Sequence, residues 1–444
     1  MMLNHTHEPS TRSWVDSANI SGGDFPIQNL PMGVFRRRRT GEAFRGGVAI
    51  GDQIVDLAAV SSTGILNGLA AQAAHAASQP ALNEFLAMGP SAWRALRHGL
   101  FDLLKADASG PDAERLRACL VAQSEIEHSV PTRIGDYTDF YTSIHHARNV
   151  GRVIRPDNPL TPNFQWLPIA YHGRASSVVI SGTPFHRPMG QAMPPGAQSP
   201  VYGPCRRLDY ELEMGFFVGP GNALGQPVPI SKAEEHIFGM CLLNDWSARD
   251  HQFWEMDPLG PFLGKNFCTS ISPWIVTMEA LAPFRVPFAH PADDPQPLSY
   301  LDSDTNRSSG GIDVSLEVVL QTQRHRSSGM RGDRLSATSF RHQYWTIAQM
   351  LAQHTNNGCN LQPGDLLGTG TISGPTAEEA GAIVELSLGG TRPIVLSSTG
   401  EQRTFLEDGD TIILQGWCEK PGAARIGFGQ CVGQVLPVFS PSTG

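Results

Sequence analysis

Charged side chains are scarce in this chain, 17% of 444 residues, against about 25% in ordinary soluble domains. Basic residues are scarcer than acidic ones, 33 against 42, which leaves a formal charge of −9. A nucleic acid is held through phosphate contacts to a basic surface, so no nucleic-acid partner is expected. The one basic run, Arg36-Arg37-Arg38-Arg39, is short and isolated and reads as a solvated loop. No apolar stretch reaches the ~18–20 residues of a membrane-crossing helix, and no membrane partner is expected. The N-terminus shows no charged segment followed by an apolar one, the mark of a secretory signal. Seven cysteines are scattered without a C-x-x-C pair, which predicts reduced thiols in a cytoplasmic protein. Glycine and proline are plentiful, 46 and 34 residues, and favour turns over long helices. Hydrophobic residues at 40% supply a core, and the length allows about two to four domains. The expectation is a loop-rich globular protein that leans to β.

Residues 1–24 are polar and expected to be frayed. In Gly47-Val48-Ala49-Ile50-Gly51-Asp52-Gln53-Ile54-Val55-Asp56-Leu57, two apolar runs flank a turn and predict a hairpin. Residues 65–125 have helical spacing, as in Trp93, Leu96, Leu100, Leu103 and Leu104, with Ser91 as the expected N-cap. A boundary falls in the polar stretch at 125–132, so the predicted division is 1–127 and 128–444. Helices are rarer in the second part. One is expected at 231–241, where Ser231 and Glu234 have capping-box spacing, and another near 346–356. Strands are expected at 177–180, 208–218, 271–278, 314–320, 383–388 and 411–414, and a surface loop at 289–311.

The run Leu208-Asp209-Tyr210-Glu211-Leu212-Glu213-Met214 carries the most chemistry. With a period of two, Asp209, Glu211 and Glu213 share one face and the apolar residues the other. Two readings are open: a solvated acidic face, or a platform for a divalent cation that relieves repulsion between the carboxylates. Asp245, between an apolar run and Trp246, and Asp139, before Phe140 and Tyr141, are further acids in non-polar surroundings. Four such carboxylates, with no cysteine and no H-E-x-x-H pattern, select a hard cation. Ca²⁺ or Mg²⁺ is favoured over Zn²⁺, and so many charges favour Ca²⁺. His145 and His146 follow Asp139 closely and are candidate bases. Glu385, inside an apolar run, reads either as an exposed strand position or as the acid that orients such a base. Lys265, between Phe262 and Phe267 and beside Gly264, reads either as a surface lysine or as a charge facing an oxyanion. Arg249 lies four residues after Asp245.

These residues fall into an ordered set. Asp136-Tyr137-Thr138-Asp139-Phe140-Tyr141 with His146, Tyr171-His172-Gly173-Arg174-Ala175-Ser176-Ser177, Glu211-Leu212-Glu213, Asn244-Asp245-Trp246-Ser247-Ala248-Arg249-Asp250, Gly260–Lys265 and Gly370-Thr371-Ile372-Ser373-Gly374-Pro375 closely resemble the fumarylacetoacetate hydrolase family. The resemblance runs from Asp24 to Gln430 and is weakest over 1–23, 58–125 and 280–345. It implies a mainly β (α+β) fold: a small SH3-like N-terminal barrel, then a large mixed-sheet β-roll, in a homodimer. It implies that Asp139, Glu211, Glu213 and Asp245 hold Ca²⁺, with a Mg²⁺ site near Asp245, Lys265 and Thr269. It makes His146 the general base, oriented by Glu385, and gives Arg249, Gln252 and Lys265 the oxyanion. Tyr141, Arg155, Tyr171, Gln252 and Thr371 would contact an anionic β-diketo acid, which is hydrolysed at a C–C bond. Three departures stand out: Met256 where the family carries a substrate-binding tyrosine, Cys268 in place of a glycine, and His145 immediately before His146. Rival readings are a sister hydrolase or decarboxylase of the superfamily, acting on acylpyruvates or another 2-oxo acid, and a Ca²⁺-binding structural β protein without catalysis.

Overall fold

A computed structural model describes residues 3–440. The fold is mostly β. Its first part is an antiparallel sheet in the order Leu120–Ala122, Gln53–Asp56, Arg45–Ile50, Met32–Arg37, Ile126–Ser129. The two outer strands are joined by only a 3₁₀ turn, Gln123–Glu125, so the sheet curls until its edges nearly meet. The predicted hairpin is present, with Gly51 in a left-handed conformation at its turn. The strand Ile126–Ser129 crosses the expected boundary at residue 127 and pairs with Met32–Arg37. Helices Gly68–Ala77 and Pro90–Leu104 pack beside this sheet.

The second part is built on a mixed sheet. Its strands run in the order Ile169–Gly173, Tyr137–Tyr141, Leu366–Gly368, Leu212–Val218, Ile237–Asp245, Thr269–Ile271, Val178–Ile180. Every residue of Leu212–Val218 and Ile237–Asp245 is buried. The reason lies in the alternation. Leu212, Met214, Phe216, Met240 and Leu242 face the core shared with a five-stranded sheet. Phe217, Phe238, Cys241 and Leu243 face the N-terminal part. In the five-stranded sheet, Ser315–Gln321 and Thr411–Cys418 keep one face in the core and the other half-exposed, as a sheet covered on one side does. Among the described residues, no helix is long and apolar enough to cross a membrane.

Several local expectations are corrected. The stretch from residue 3 to 24 is packed, not frayed. Asn4 caps a short 3₁₀ turn and its amide reaches Glu279, while the buried Arg97 donates to the carbonyls of Gln28 and Asn29 just beyond this stretch. The helix Pro90–Leu104 is preceded by Gly89, so Ser91 lies inside its first turn. The Ser231–Glu234 spacing forms no capping box: the segment is a 3₁₀ helix, Ile230–His236, entered at Pro229 without a side-chain cap, and the apolar run that follows is a strand buried on both faces. Residues 383–388 form no strand but a short helix, Ile383–Leu386. The expected loop at 289–311 contains the helix Asp304–Ser309, whose Asn306 is buried and accepts from Thr346. Arg36 and Arg37 belong to a strand, and Arg36 stacks on Phe44 and pairs with Glu127. The helix Ile347–Thr355 forms as expected behind its Thr346 cap.

Phe238 joins the two parts, edge-on to both Phe85 and Trp93 with ring centroids 5.5 and 5.1 Å away. Phe238→Ala is expected to cost about 3–5 kcal/mol, read as a lower denaturant midpoint. A loss below about 1 kcal/mol would show that this contact does not hold the parts together.

Candidate active site

Three strands of the large sheet converge on one acidic cluster. Asp139 lies in Tyr137–Tyr141, Glu213 in Leu212–Val218 with Glu211 just before it, and Asp245 ends Ile237–Asp245. All four are buried, and one oxygen of each lies within 4.8 Å of the others. Register explains how they come so close. Gly368 pairs with Asp139 on one side and with Gly215 on the other. A Cβ on Gly368 would stand 2.6 Å from Asp139 Oδ1 and 3.1 Å from Glu213 Oε2, so the strand between the acids must be bare there.

The cluster is incomplete as a set of protein contacts. Asp139 Oδ1 and Glu213 Oε1 are buried without a hydrogen-bond partner, a costly state for a polar atom. Burial, then repulsion from Asp245 and Asp139 respectively, holds the carboxyls of Asp139 and Glu213 well above the usual carboxylate range. A donor set of carboxylate oxygens alone, with unpartnered lone pairs turned inward, fits a hard divalent cation. The four side chains are placed so that one divalent ion could be held among them.

Two cations flank it. Lys265 Nζ donates to Glu211 Oε2 at 2.5 Å and to Asp245 Oδ2 at 2.6 Å. Arg249 Nη1 lies 2.8 Å from Glu211 Oε1 and donates to Gln252 Oε1 at 3.1 Å. Burial raises the Glu211 carboxyl, but Lys265, Arg249 and His146 overcome it and hold the group far below its usual range. Asp209 does not join its two acidic neighbours. The strand breaks after it, and its carboxylate turns to Arg249 Nε at 2.9 Å and to the amides of Ile383 and Val384. The alternation that placed three acids on one face therefore fails at Asp209, and its physical role is to anchor Arg249.

The helix Ile144–Ile154, capped by Ser143, presents His146 to the same cluster. His146 Nδ1 donates to Glu385 Oε1 at 2.7 Å, and Nε2 lies 3.9 Å from Glu211 Oε1. Glu385 also accepts from Ser373 Oγ and from Asn149 Nδ2, each at 2.8 Å. Burial pushes its carboxyl up, but His146 and these donors hold it below its usual range, as an acceptor. His145 instead turns toward His342, ring edge to ring face with centroids 6.0 Å apart. Of the adjacent histidines, only His146 meets the acidic cluster.

A cavity of about 540 Å³ opens over these groups. Tyr141, Arg155, Tyr171, Gln252, Lys265 and Thr371 all line it, with Arg155 exposed at its rim. Asp245 and Glu385 stand behind the wall, bonded to Tyr171 and His146. Thr269 is one step deeper, its Oγ1 3.4 Å from Asp245 Oδ1. Met256 lines the cavity beside Gln252 and offers no hydroxyl. Cys268 is buried, and burial pushes its thiol up to about 12, so it is a neutral packing group.

The comparisons agree with this geometry. The family description "Fumarylacetoacetate (FAA) hydrolase C-terminal" matches residues 137–436, and "Fumarylacetoacetase N-terminal" matches residues 28–131. The chain belongs to the fumarylacetoacetate hydrolase family. It is 51% identical to the fumarylacetoacetase of Homo sapiens over 94% of this chain and 98% of that one. Against the fumarylacetoacetase of Oryza sativa the identity is 49%, over 96% and 98%. A solved fumarylacetoacetate hydrolase from Exiguobacterium antarcticum shares the fold, with a TM-score of 0.50 at 16% identity over 91% of this chain and 99% of that one.

Four groups that shape this family's site in the present chain carry no role in the sequence reading. Asp209 was visible only as one acid among three. Asn149 and Ser373 hold Glu385 from opposite sides, and the spacing of Asn149 from His146 is the one signal that points to it. Gly368 is a plain Leu-Leu-Gly strand residue until its two neighbours are known.

Calcium is expected to raise the melting temperature of ion-free protein. In the ion-free fold the Asp139 and Glu213 pKa values exceed those of the unfolded chain. Their contribution therefore falls as pH rises from about 4, the ordinary carboxylate range. The ion needs both groups ionised, so the calcium increment should grow with pH. Gly368→Ala should weaken calcium at least about tenfold by calorimetry, and unchanged affinity would show that the close approach of the acids is dispensable.

Proposed function

We propose that this chain hydrolyses a carbon–carbon bond of fumarylacetoacetate, an anionic β-diketo acid, to fumarate and acetoacetate, the last step of tyrosine and phenylalanine breakdown, with His146 as base. The observation that carries this is the convergence on one cavity wall of a histidine–glutamate pair, a carboxylate cluster for a cation, and two buried cations. Relatives about half identical across nearly the whole chain bear the name of that hydrolase. The chain is a hydrolase of that kind.

The chemistry follows from the donors in place. Glu385 fixes the proton of His146 on Nδ1, which leaves the Nε2 lone pair to take a proton from attacking water and steadies the imidazolium formed. Water oxygen bonds to the carbonyl carbon next to the bond that breaks. That bond's electron pair leaves as an enolate, which takes a proton at carbon. The oxyanion formed in between needs donors already aimed at it. Asp209 and Glu211 hold Arg249 in place, and Gln252, whose Oε1 already accepts from Arg249, has its amide N–H groups for the cavity. Lys265 is kept protonated by Asp245 and Glu211, which outweigh its burial. Arg155 at the rim suits a substrate carboxylate. Tyr141 stacks edge-on to His146, and burial together with Glu385 and Glu211 keeps its phenol protonated as a donor.

We assign Ca²⁺ to Asp139, Glu211, Glu213 and Asp245, because Ca²⁺ tolerates many carboxylates in loose geometry. A cation there would supply Lewis acidity to the diketone oxygens and lower the cost of the enolate. We place Mg²⁺ beside Asp245, Lys265 and Thr269. The ammonium of Lys265 has no lone pair to give, so its contribution falls to its backbone carbonyl. A homodimer is supported by Trp254, Leu259, Phe262 and Leu263, exposed apolar side chains on one segment at the cavity mouth. The seven unpaired cysteines support a reducing, cytoplasmic setting.

The deciding assay follows loss of the diketone absorbance of fumarylacetoacetate. Wild type should act, a chelator should stop it, and His146→Ala should lower kcat by about 10²–10⁴. Faster cleavage of an acylpyruvate would move the assignment to a sister hydrolase. Met256→Tyr restores a hydroxyl to the cavity and should lower KM about fivefold, the worth of one hydrogen bond, with kcat nearly unchanged. An unchanged KM would show that this position does not read the substrate.

A further inference from the structure

Asn149 follows His146 by three residues on the helix Ile144–Ile154, so the two side chains leave the same face one turn apart. Both end on Glu385. His146 Nδ1 takes Oε1 at 2.7 Å and Asn149 Nδ2 takes Oε2 at 2.8 Å. The orientation of the amide is fixed independently. Arg152 Nη1 donates to Asn149 Oδ1 at 3.3 Å, and because a guanidinium only donates, the amide oxygen faces Arg152 and the NH₂ faces Glu385.

The surroundings explain why that contact matters. A second cavity, of about 620 Å³, lies behind the histidine–glutamate pair, lined by Asn149, Arg152, Val384, Glu385, Leu388 and Arg392. The substrate cavity is lined by His146 but not by Glu385. Glu385 thus stands between two spaces open to water. Ser373 bonds the same oxygen as His146, so among the described residues the Asn149 amide is the one side-chain donor to the other oxygen of Glu385, a residue that also lines the second cavity. The last torsion of a glutamate is soft. Without the amide, the carboxylate is free to rotate toward water in the second cavity and release Nδ1.

We infer that Asn149 is a positioning residue for the hydrolysis. It locks Glu385 between the two cavities so that His146 keeps its proton on Nδ1 and its Nε2 lone pair toward the substrate. This rests on His146 being the base.

The test compares Asn149→Asp and Asn149→Ala in the full-length protein on fumarylacetoacetate. The aspartate has the shape of asparagine and still accepts from Arg152, but it has no proton to give and repels Glu385. The expected result is a kcat lowered about 10–100-fold in both variants, the aspartate at least as impaired as the alanine, with KM and calcium affinity within about twofold of wild type. The imidazole Nδ1–H resonance of His146 should shift or disappear in both. Wild-type kcat in Asn149→Asp, or a change confined to KM, would overturn the inference and leave Asn149 a space-filling residue. Should the aspartate fail to fold, the alanine variant decides by the same kcat and resonance criteria. His146→Ala separates the two levels. If it stays active, the base assignment fails and this inference with it; if it is inactive while both Asn149 variants keep wild-type kcat, this inference alone fails.

Discussion

The structure turns on holding four carboxylates together away from water. Asp139, Glu211, Glu213 and Asp245 are buried and mutually repelling, and two of their oxygens lack any partner. Such a set is unfavourable unless positive charge enters it. The chain supplies part of that charge through Lys265, which bonds Glu211 and Asp245, and through Arg249, which bonds Glu211 and Asp209. Asp139 and Glu213 lie on the other side and receive none of it directly, which is where the orphaned oxygens are. The charge distribution thus divides the cluster into a half satisfied by the protein and a half left for a cation.

That constraint explains the burial of the sheet. A strand with water on one face would hydrate its acids and weaken every interaction among them. Here the N-terminal part covers one face of Leu212–Val218 and Ile237–Asp245, and the five-stranded sheet covers the other. Glu213 and Asp245 share by alternation the face of Phe217 and Leu243, the face packed on the N-terminal part. The N-terminal part, which lends no residue to the cavity wall, therefore contributes through the low dielectric it imposes. Gly368 completes the arrangement by removing the side chain that would separate Asp139 from Glu213.

Much of this was legible in the sequence and some was not, for physical reasons. Period-two alternation finds Glu211 and Glu213 because the strand is regular there. It misplaces Asp209 because the chain turns at Tyr210–Glu211, and the turn is fixed by a long-range partner, Arg249, which local pattern cannot show. The capping-box spacing at Ser231 forms no cap, and the next nine residues are a strand buried on both faces. Glu385 lies in an apolar run that reads as a strand, with the acid either exposed or orienting a base. Its run is a helical turn because the Asp209 carboxylate takes the first amides of Ile383–Leu386. The packed N-terminal stretch was missed because its polar side chains are satisfied by groups such as Glu279 and the carbonyl of Leu104, remote in sequence. Patterns within a strand or helix were readable; polar contacts between distant segments were not.

Those long-range contacts also connect the site's functions. Among the described residues, Glu211 is the one side chain that meets Arg249, Lys265, His146 and the acidic cluster together. Its Oε1 lies 2.8 Å from Arg249 and 3.9 Å from His146 Nε2, its Oε2 bonds Lys265, and it belongs to the metal cluster. Asp209 holds the far side of the same Arg249 and caps the helical turn that carries Glu385. A closed chain results: His146 to Glu385, through the Ile383–Leu386 turn to Asp209, to Arg249, to Glu211, and back to His146. Glu385 accepts from His146, Asn149 and Ser373, Asp209 from Arg249 and two backbone amides, and Glu211 from Lys265 beside its pairing with Arg249, so displacing one donor leaves a buried carboxylate short of a partner. In a buried ring of this kind the geometry of His146 and that of Arg249 are not separately adjustable. That coupling gives a physical reason for these residues to stand together as a set, whereas Met256 lines the cavity outside the ring.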